Sequence, residues 1–281
     1  IVANSSGDPT LTITSCFPAV TNTACASRTG TGTQGDTVSL SISAQSALLD
    51  RIVIAVAARE GAGVTPNAPT FNGVAMSLLH REQDVTAPGS SLEMWYLLEA
   101  GGIPAGTGPH PGVFSGATAA NWGYCFLSLS EVAQVLPVYD GGAPEAGTLN
   151  YNNSNYDAVS ELISTTITTT ENNSLVLSAV STAEAAANWI FDNISPTPPI
   201  TRLFGANDNN NPEYEQGDEA QFAGGSGVAP IAAAITISDT EDDYNAAVNT
   251  QIVAAFEPRV PGPPIAVGYE PVKLFQTYSG N

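Results

Sequence analysis

The fold is decided by the stretch Thr70-Phe71-Asn72-Gly73-Val74-Ala75-Met76-Ser77-Leu78-Leu79, followed after a polar break by Ser91-Leu92-Glu93-Met94-Trp95-Tyr96-Leu97-Leu98. Asn72-Gly73 is a dipeptide that tolerates the positive φ angles of a two-residue hairpin turn. Apolar, β-branched or aromatic residues on both sides of this turn are typical of strands. The stretch therefore predicts a β-hairpin that leads into a further strand.

The same pattern recurs along the chain. Residues 38–42 alternate apolar and polar side chains, which predicts a strand with one buried face. Residues 51–58 are apolar on both faces and predict a central strand. Alternation returns at residues 161–170, where Asn172-Asn173 predicts a turn into residues 174–180. Further core strands are expected at residues 230–238 and 250–257.

This succession of short strands and turns predicts an all-β fold, a two-sheet antiparallel, jelly-roll-like sandwich with N- and C-terminal extensions. We divide the chain into an N-terminal extension (residues 1–35), a β-sandwich domain (36–258) and a proline-rich C-terminal extension (259–281) with strand-like segments. The first extension contains one strand and a Thr/Gly linker, Thr29–Thr33. Long loops are expected at residues 100–111, 139–156 and 204–227, and such loops often carry function.

The net charge of the chain limits the classes of partner that it is expected to bind. It has 27 acidic and 7 basic residues, a formal net charge of -20. This charge repels nucleic acids and anionic lipid surfaces, so neither is expected as a partner. No run of about 20 apolar residues is present, so we expect no membrane insertion.

The composition is typical of an exported protein. The chain is rich in Thr, Ser, Asn and Gly, and it begins at Ile1 rather than Met. We interpret this start as one from which a signal segment has been removed, and expect an extracellular or cell-surface location. Four Asn-x-Ser sequons allow glycosylation in a suitable host, at Asn4, Asn152, Asn172 and Asn193.

The three cysteines have different environments. Cys16 and Cys25 flank a short loop, so they are expected to form a disulfide in an oxidising compartment. Cys125 lies in an apolar strand and is expected to be an inert buried thiol. An intermolecular bridge through Cys125 is the alternative.

Two stretches concentrate oxygen ligands and predict calcium as a cofactor, because this hard cation takes six to eight oxygens. Neither stretch has the spacing of a helix-loop-helix calcium motif, and solvated acidic turns are the alternative. The candidate ligands are Asp208, Asn210, Glu213, Asp218 and Glu219 in the first stretch, and Asp239, Glu241, Asp242 and Asp243 in the second.

No residue set predicts catalysis. A Gly-x-Ser-x-Gly motif is missing from the sequence, His80 lies in a predicted strand, and His110 lies between two prolines in a predicted loop. Glu93-Met94-Trp95 resembles the nucleophile strand of jelly-roll cellulases, and retaining glycosidases need two carboxyl groups about 5 Å apart. Glu99 shares its strand face but lies about 20 Å away at strand spacing. We therefore name no catalytic residue.

The strand motifs resemble a known module. Asp50-Arg51-Ile52-Val53-Ile54-Ala55-Val56, Pro69 to Met76 and Leu92 to Leu97 follow the strand order of a widespread bacterial and phage-associated β-sandwich module, and Thr168 to Leu177 and Ile252 to Pro258 match it as well. The resemblance covers roughly residues 36–258. Such modules occur in exported, surface or virion proteins and have no agreed activity, so the resemblance implies a location rather than a reaction.

The two extensions depart from that module and indicate subunit contacts. Prolines 258, 261, 263 and 264 follow the last core strand, and Val272–Tyr278 then alternates as a strand does. An extended segment can complete the open sheet edge of a neighbouring molecule, although both extensions could instead pack on their own domain. The candidate contact residues are Leu11, Ile13, Val272, Leu274, Phe275 and Tyr278.

These features favour an exported structural protein. Copies of the chain would assemble by terminal strand exchange into a surface filament, sheath or virion component. A carbohydrate-binding or adhesive module is the second hypothesis, with Tyr151, Tyr156 and Tyr214 as exposed aromatics that could hold glycans. A jelly-roll glycoside hydrolase is the third.

Overall fold

The structure is a computed structural model, and it describes residues 2–3, 9–10, 21–33, 37–43, 50–60, 68–84, 90–115, 118–140, 162–182, 189–190, 201–204, 221–241 and 249–259. These residues form strands and one 3₁₀ turn at Glu99–Gly101. The strands are β1 (Val2–Ala3), β2 (Pro9–Thr10), β3 (Thr21–Thr33), β4 (Thr37–Ile42), β5 (Ile52–Glu60), β6 (Thr70–Phe71), β7 (Val74–Ala75), β8 (Ser77–Asp84), β9 (Ser90–Leu98), β10 (Gly108–Val113), β11 (Thr118–Ser130), β12 (Val138–Asp140), β13 (Leu162–Thr168), β14 (Ser174–Thr182), β15 (Trp189–Ile190), β16 (Thr201–Phe204), β17 (Gln221–Ala229), β18 (Ala234–Glu241) and β19 (Asn249–Phe256).

The strands form antiparallel sheets that pack in pairs, which confirms the all-β sandwich class. Two inner sheets have the orders β3-β11-β5-β9-β8 and β12-β19-β14-β17-β16. Two outer sheets have the orders β4-β10-β6-β7 and β13-β18-β15. Strands β1 and β2 form a separate small sheet.

Three apolar cores join the four large sheets into layers. One core lies between the first outer and inner sheets and includes Leu40 and Phe126. A second core lies between the two inner sheets, where Ile54 and Leu177 belong to the same cluster. The third lies between the second inner and outer sheets and includes Ile237. The described part of the chain therefore contains the two-sheet sandwich twice, with the inner sheets back to back.

The two sandwiches repeat one topology in the same chain order. In the first, β4-β10-β6 form the outer sheet and β3-β11-β5-β9-β8 the inner one. In the second, β13-β18-β15 and β12-β19-β14-β17-β16 hold the corresponding places. The corresponding strands also occur in the same order along the chain. Strands β3, β4, β5, β6, β8, β9, β10 and β11 of the first sandwich correspond in turn to β12 through β19 of the second. The fold is thus an internal structural duplication.

A β-bulge recurs at the corresponding place in both sandwiches. The register of β8 against β9 shifts between Leu78 and His80, and that of β16 against β17 shifts between Arg202 and Phe204. The residues inside the two bulges are Leu79 and Leu203, and both pack on the core between the inner sheets. A bulge re-aims one side chain at a cost in local pairing. Its recurrence supports the duplication independently of the strand order.

The predicted hairpin and central strand are confirmed. Asn72 and Gly73 have φ angles of 49° and 79° in the turn between β6 and β7. Strand β5 lies between β11 and β9 and is buried on both faces. The turn at Asn172-Asn173 is present, but it connects two sheets, because β13 pairs with β18 while β14 pairs with β17 and β19.

Three local predictions were wrong. Residues 221–227, predicted as part of a long loop, lie in β17. The Thr29–Thr33 stretch is the end of β3 and not a linker, because β-branched Thr fits a strand and β11 supplies a full pairing partner. His110 lies in β10 and not in a loop. Pro109 and Pro111 are tolerated there because, among the described strands, only β4 pairs with this part of β10. A strand with a partner on one side alone needs fewer backbone N–H donors.

Candidate functional site

Most of the predicted contact and ligand residues lie outside the part of the chain that the structure describes. The predictions made for them therefore stay predictions. They are the contact residues Leu11, Ile13, Val272, Leu274, Phe275 and Tyr278; the calcium ligands Asp208, Asn210, Glu213, Asp218, Glu219, Asp242 and Asp243; the sequons Asn4, Asn152 and Asn193; Cys16; and Tyr151, Tyr156 and Tyr214.

The first strand residues after the two acidic stretches lie close together, on either side of β14. Gln221 and Asn249, which follow the two stretches, both lie opposite Thr182 on the two sides of β14. Two strand spacings separate them, about 10 Å. Asp239 and Glu241 are in β18, which ends at the same end of the second sandwich. Among the described residues, no group of three or more His, Cys, Asp or Glu side chains could hold a metal ion.

Calcium is expected to raise the melting temperature by several degrees over that in chelator, because neighbouring carboxylates repel each other until a cation neutralises them. Differential scanning calorimetry in about 5 mM calcium, in about 5 mM magnesium and in chelator, at matched ionic strength, would measure the difference in melting temperature. Replacing Asp239, Glu241, Asp242 and Asp243 by their amides should reduce the calcium shift. Equal melting temperatures in calcium and chelator would leave only solvated acidic turns.

The cysteines and the described sequon occupy different environments. Cys25 lies in β3 opposite Leu127, while its predicted disulfide partner is outside the described residues. Cys125 is buried in the core between the inner sheets, as predicted. Asn172 is exposed, and its Oδ1 accepts a hydrogen bond from the backbone N–H of Ala232 at 2.8 Å. Glycosylation at Asn172 stays a prediction.

Glu93 is the centre of a buried ionic cluster in the first sandwich. Its Oε1 lies 3.0 Å from Nη1 of Arg59 and accepts a hydrogen bond from Nε of Arg81 at 2.7 Å. Its Oε2 accepts a hydrogen bond from Nε1 of Trp95 at 3.1 Å. Burial lowers the pKa of Arg59, an effect that the charge of Glu93 opposes. The carboxylate is fully buried, so its visible role is to neutralise two arginines.

Glu99 and Arg51 form a second buried ion pair at the start of β5. Oε1 of Glu99 accepts hydrogen bonds from Nη2 and Nε of Arg51 at 2.6 and 2.9 Å. Oε2 accepts the backbone N–H groups of Asp50 and Arg51 at 2.8 and 3.0 Å. Both side chains are 1% exposed. Sequence reasoning treated Glu99 only as a partner for Glu93 and missed this pair.

Arg51 also forms hydrogen bonds that connect two further segments to the start of β5. Its Nη1 donates to the backbone oxygen of Ser43 at 2.7 Å, and its Nη2 donates to that of Pro104 at 2.8 Å. The side chain of Gln134 bridges the backbone, because Nε2 donates to the oxygen of Arg51 and Oε1 accepts the N–H of Glu99. The ion pair therefore fixes the ends of several strands of the first sandwich.

The same end of the molecule joins the two sandwiches. Val132 and Pro258 form an isolated antiparallel bridge, flanked by hydrogen bonds from Ala133 N–H to the oxygen of Glu257 and from Arg259 N–H to the oxygen of Glu131. The side chain of Arg259 forms ion pairs with Glu131 and, at 3.7 Å, with Asp50. We call this end, where β5 and β14 begin and β11 and β19 end, the junction end.

The sheet edges differ in how open they are to a further strand. Edge strand β8 has a bulge and the charged residues Arg81 and Glu82, and such features discourage pairing with another chain. Strand β3, by contrast, is a long edge strand that pairs along β11 from Thr118 to Ser130. It completes one inner sheet in the place that β12 takes in the other.

Comparisons with known protein families, curated proteins and solved structures found no match to this chain. In the described part of the chain, no helix has the length and hydropathy to cross a membrane.

Proposed function

We propose that the chain is an exported structural protein whose copies assemble through their sheet edges into a filament, sheath or virion component. The observation that carries the proposal is β3, a thirteen-residue strand that forms one edge of an inner sheet in the described part of the chain. A terminal segment of a neighbouring molecule can pair with such a sheet edge. Strand addition joins molecules through backbone hydrogen bonds, and its specificity comes from alternate side chains.

The packing of the two sandwiches supports this role. Their inner sheets share one core, and the Val132–Pro258 bridge and the Arg259 ion pairs hold the junction end. Such a block can transmit load between contacts at its edges without separating its halves. The buried carboxylates Glu93 and Glu99 stabilise the same scaffold, because each is paired with arginine.

Assembly of the purified full chain is the direct test. Size-exclusion chromatography with light scattering is expected to show species much larger than one chain, and negative-stain electron microscopy should show regular polymers. The assay should be run at low and high salt, because a net charge of -20 opposes association at low ionic strength. A monodisperse monomer in every condition would overturn the proposal. Glycan affinity of such a monomer would instead favour the carbohydrate-binding hypothesis.

A further inference from the structure

A short connection joins the two sandwiches, and its first part is fixed to both of them. Residues 131–137 lie between β11 and β12. The N–H of Ala133 donates to the backbone oxygen of Glu257 at the end of the second sandwich, at 2.9 Å. The side chain of Gln134 donates to the backbone oxygen of Arg51 in the first sandwich, also at 2.9 Å. The connection is therefore anchored as far as Gln134.

The second part of the connection is apolar and exposed. Val135 and Leu136 are 48% and 58% exposed, and Pro137 follows them directly before β12. Single exposed apolar side chains are normal on a protein surface, whereas adjoining ones mark a contact surface. Residues 135–137 are therefore a place where the chain is ready to meet a partner.

The core between the inner sheets does not require both sandwiches to come from one chain. Corresponding strands supply its two sides: β5 and β14 supply Ile54 and Leu177, and β11 and β19 supply Leu127 and Ala254. The first sandwich of one copy can make every one of these contacts with the second sandwich of another copy. A single chain and an exchanged pair of chains thus bury the same core, and they differ only at the connection.

We infer that two copies of the chain exchange sandwiches, so that Val135 and Leu136 of both copies come into contact at a two-fold axis. The first sandwich of each copy then packs on the second sandwich of the other. Residues 135–137 act as the hinge, and their extended length between Gln134 and Val138 is about 13 Å, so the two packed pairs meet at their junction ends. The exchange goes beyond the proposed assembly, because it uses neither the sheet edges nor the terminal extensions.

Exchange gives the exposed side chains of the hinge a partner. Around a two-fold axis the hinge of one copy lies beside the hinge of the other, so Val135 and Leu136 lose apolar surface that stays exposed in a single chain. The hinge also carries no charge. A neutral contact suits two copies that repel each other elsewhere, since each has a net charge of -20.

The exchange is expected while chains fold, and not between folded chains. Opening a folded chain exposes Ile54, Leu177 and the rest of the shared core to water, so folded molecules open slowly. In concentrated chains that are still folding, the second sandwich of a neighbouring copy competes with that of the same chain. The exchanged fraction should therefore rise with the chain concentration during refolding.

Cross-linking of refolded full-length chains tests the inference. One variant carries Leu136→Cys, and the control carries Ser39→Cys, at an exposed position of β4 in the first outer sheet. Both substitutions replace exposed side chains, so both variants should fold. Each variant is refolded as a mixture of ¹⁴N- and ¹⁵N-labelled chains, at about 0.3 M salt to screen the net charge, and is then mildly oxidised.

Mass spectrometry of the peptides would count mixed-label disulfides between the introduced thiols. We expect at least about tenfold more of them for Leu136→Cys than for Ser39→Cys, because thiols held side by side have an effective concentration of about millimolar. Equal counts in the two variants would overturn the inference.

A lengthened connection separates exchange from simple contact. A Gly/Ser segment of about eight residues, inserted between Val135 and Leu136, favours the single closed chain over the exchanged pair. Cross-linking of Leu136→Cys should then fall to the level of Ser39→Cys, and mixing folded chains of the unlengthened variant should give no mixed-label links. Links that survive the insertion, or that form on mixing folded chains, would overturn the exchange.

The outcomes also separate this inference from the proposed function. Polymers that form while the thiols introduced at Leu136 stay unlinked would leave assembly through sheet edges standing and overturn the exchange. Chains that stay monomeric when folded at low concentration, do not polymerise, and give links only after concentrated refolding would overturn the proposed function and support the exchange.

Discussion

Deletion of residues 262–281 is expected to convert polymers into folded monomers. The deletion removes the alternating segment Val272–Tyr278 and leaves Arg259 with its ion pairs to Asp50 and Glu131. The described scaffold should therefore keep its strands. Sedimentation velocity would measure the loss of assembly, and far-ultraviolet circular dichroism would measure the retained β-structure.

The matched control for this deletion removes only Ser279–Asn281, which lie beyond the segment, and should assemble as the full chain does. If the longer deletion also polymerises normally, the contacts are not made by the C-terminal extension. The stretch Leu11–Phe17 of the N-terminal extension would then be the next candidate for the donor strand.

The substitution Glu99→Gln is expected to lower the free energy of unfolding by about 3–5 kcal/mol, because it leaves the buried Arg51 guanidinium without a counter-charge. The carboxylate accepts four hydrogen bonds from Asp50 and Arg51, and the amide NH₂ cannot accept those made by the oxygen it replaces. A loss of this size lowers the melting temperature by roughly 10 °C in a protein of this length. Chemical denaturation followed by tryptophan fluorescence would measure it.

Glu82→Gln provides the comparison. Glu82 pairs with His80 at 2.9 Å, but both side chains are about one-fifth exposed, at 21% and 23%. Such partly exposed pairs contribute about 0–1 kcal/mol. Replacing both members of the buried pair, by Arg51→Met with Glu99→Leu, should recover part of the loss, since no unpaired charge then remains. Equal effects of Glu99→Gln and Glu82→Gln would show that the buried pair does not stabilise the fold.

Sequence patterns predicted the structural elements whose conformation depends on residues that are neighbours in the sequence. Asn72-Gly73 carries its own turn geometry, and the apolar run of β5 predicts burial on both faces. The duplication could not be predicted in this way, because its halves share pairing and burial but few residues. Ile52 pairs with Leu129 as Leu175 pairs with Phe256, and only apolar character is common to the two pairs.

The ionic clusters were missed for a related reason. Arg51 and Glu99 are separated by 48 positions in the sequence and meet only because β5 and β9 pair. The charged residues Asp50 and Arg51 at the head of an apolar strand were the available signal. A charge that enters a buried sheet needs a partner, so this signal predicts that a counter-charge exists without saying where it lies.

The shared core between the inner sheets also sets how the molecule loses its structure. Ile54 and Val56 of the first sandwich and Leu177 and Ile252 of the second belong to one apolar cluster. Neither half can open alone without exposing the inner face of the other to water, so the hydrophobic cost of partial unfolding falls on both. We therefore expect the duplicated unit to unfold as one cooperative domain, although its topology divides it in two.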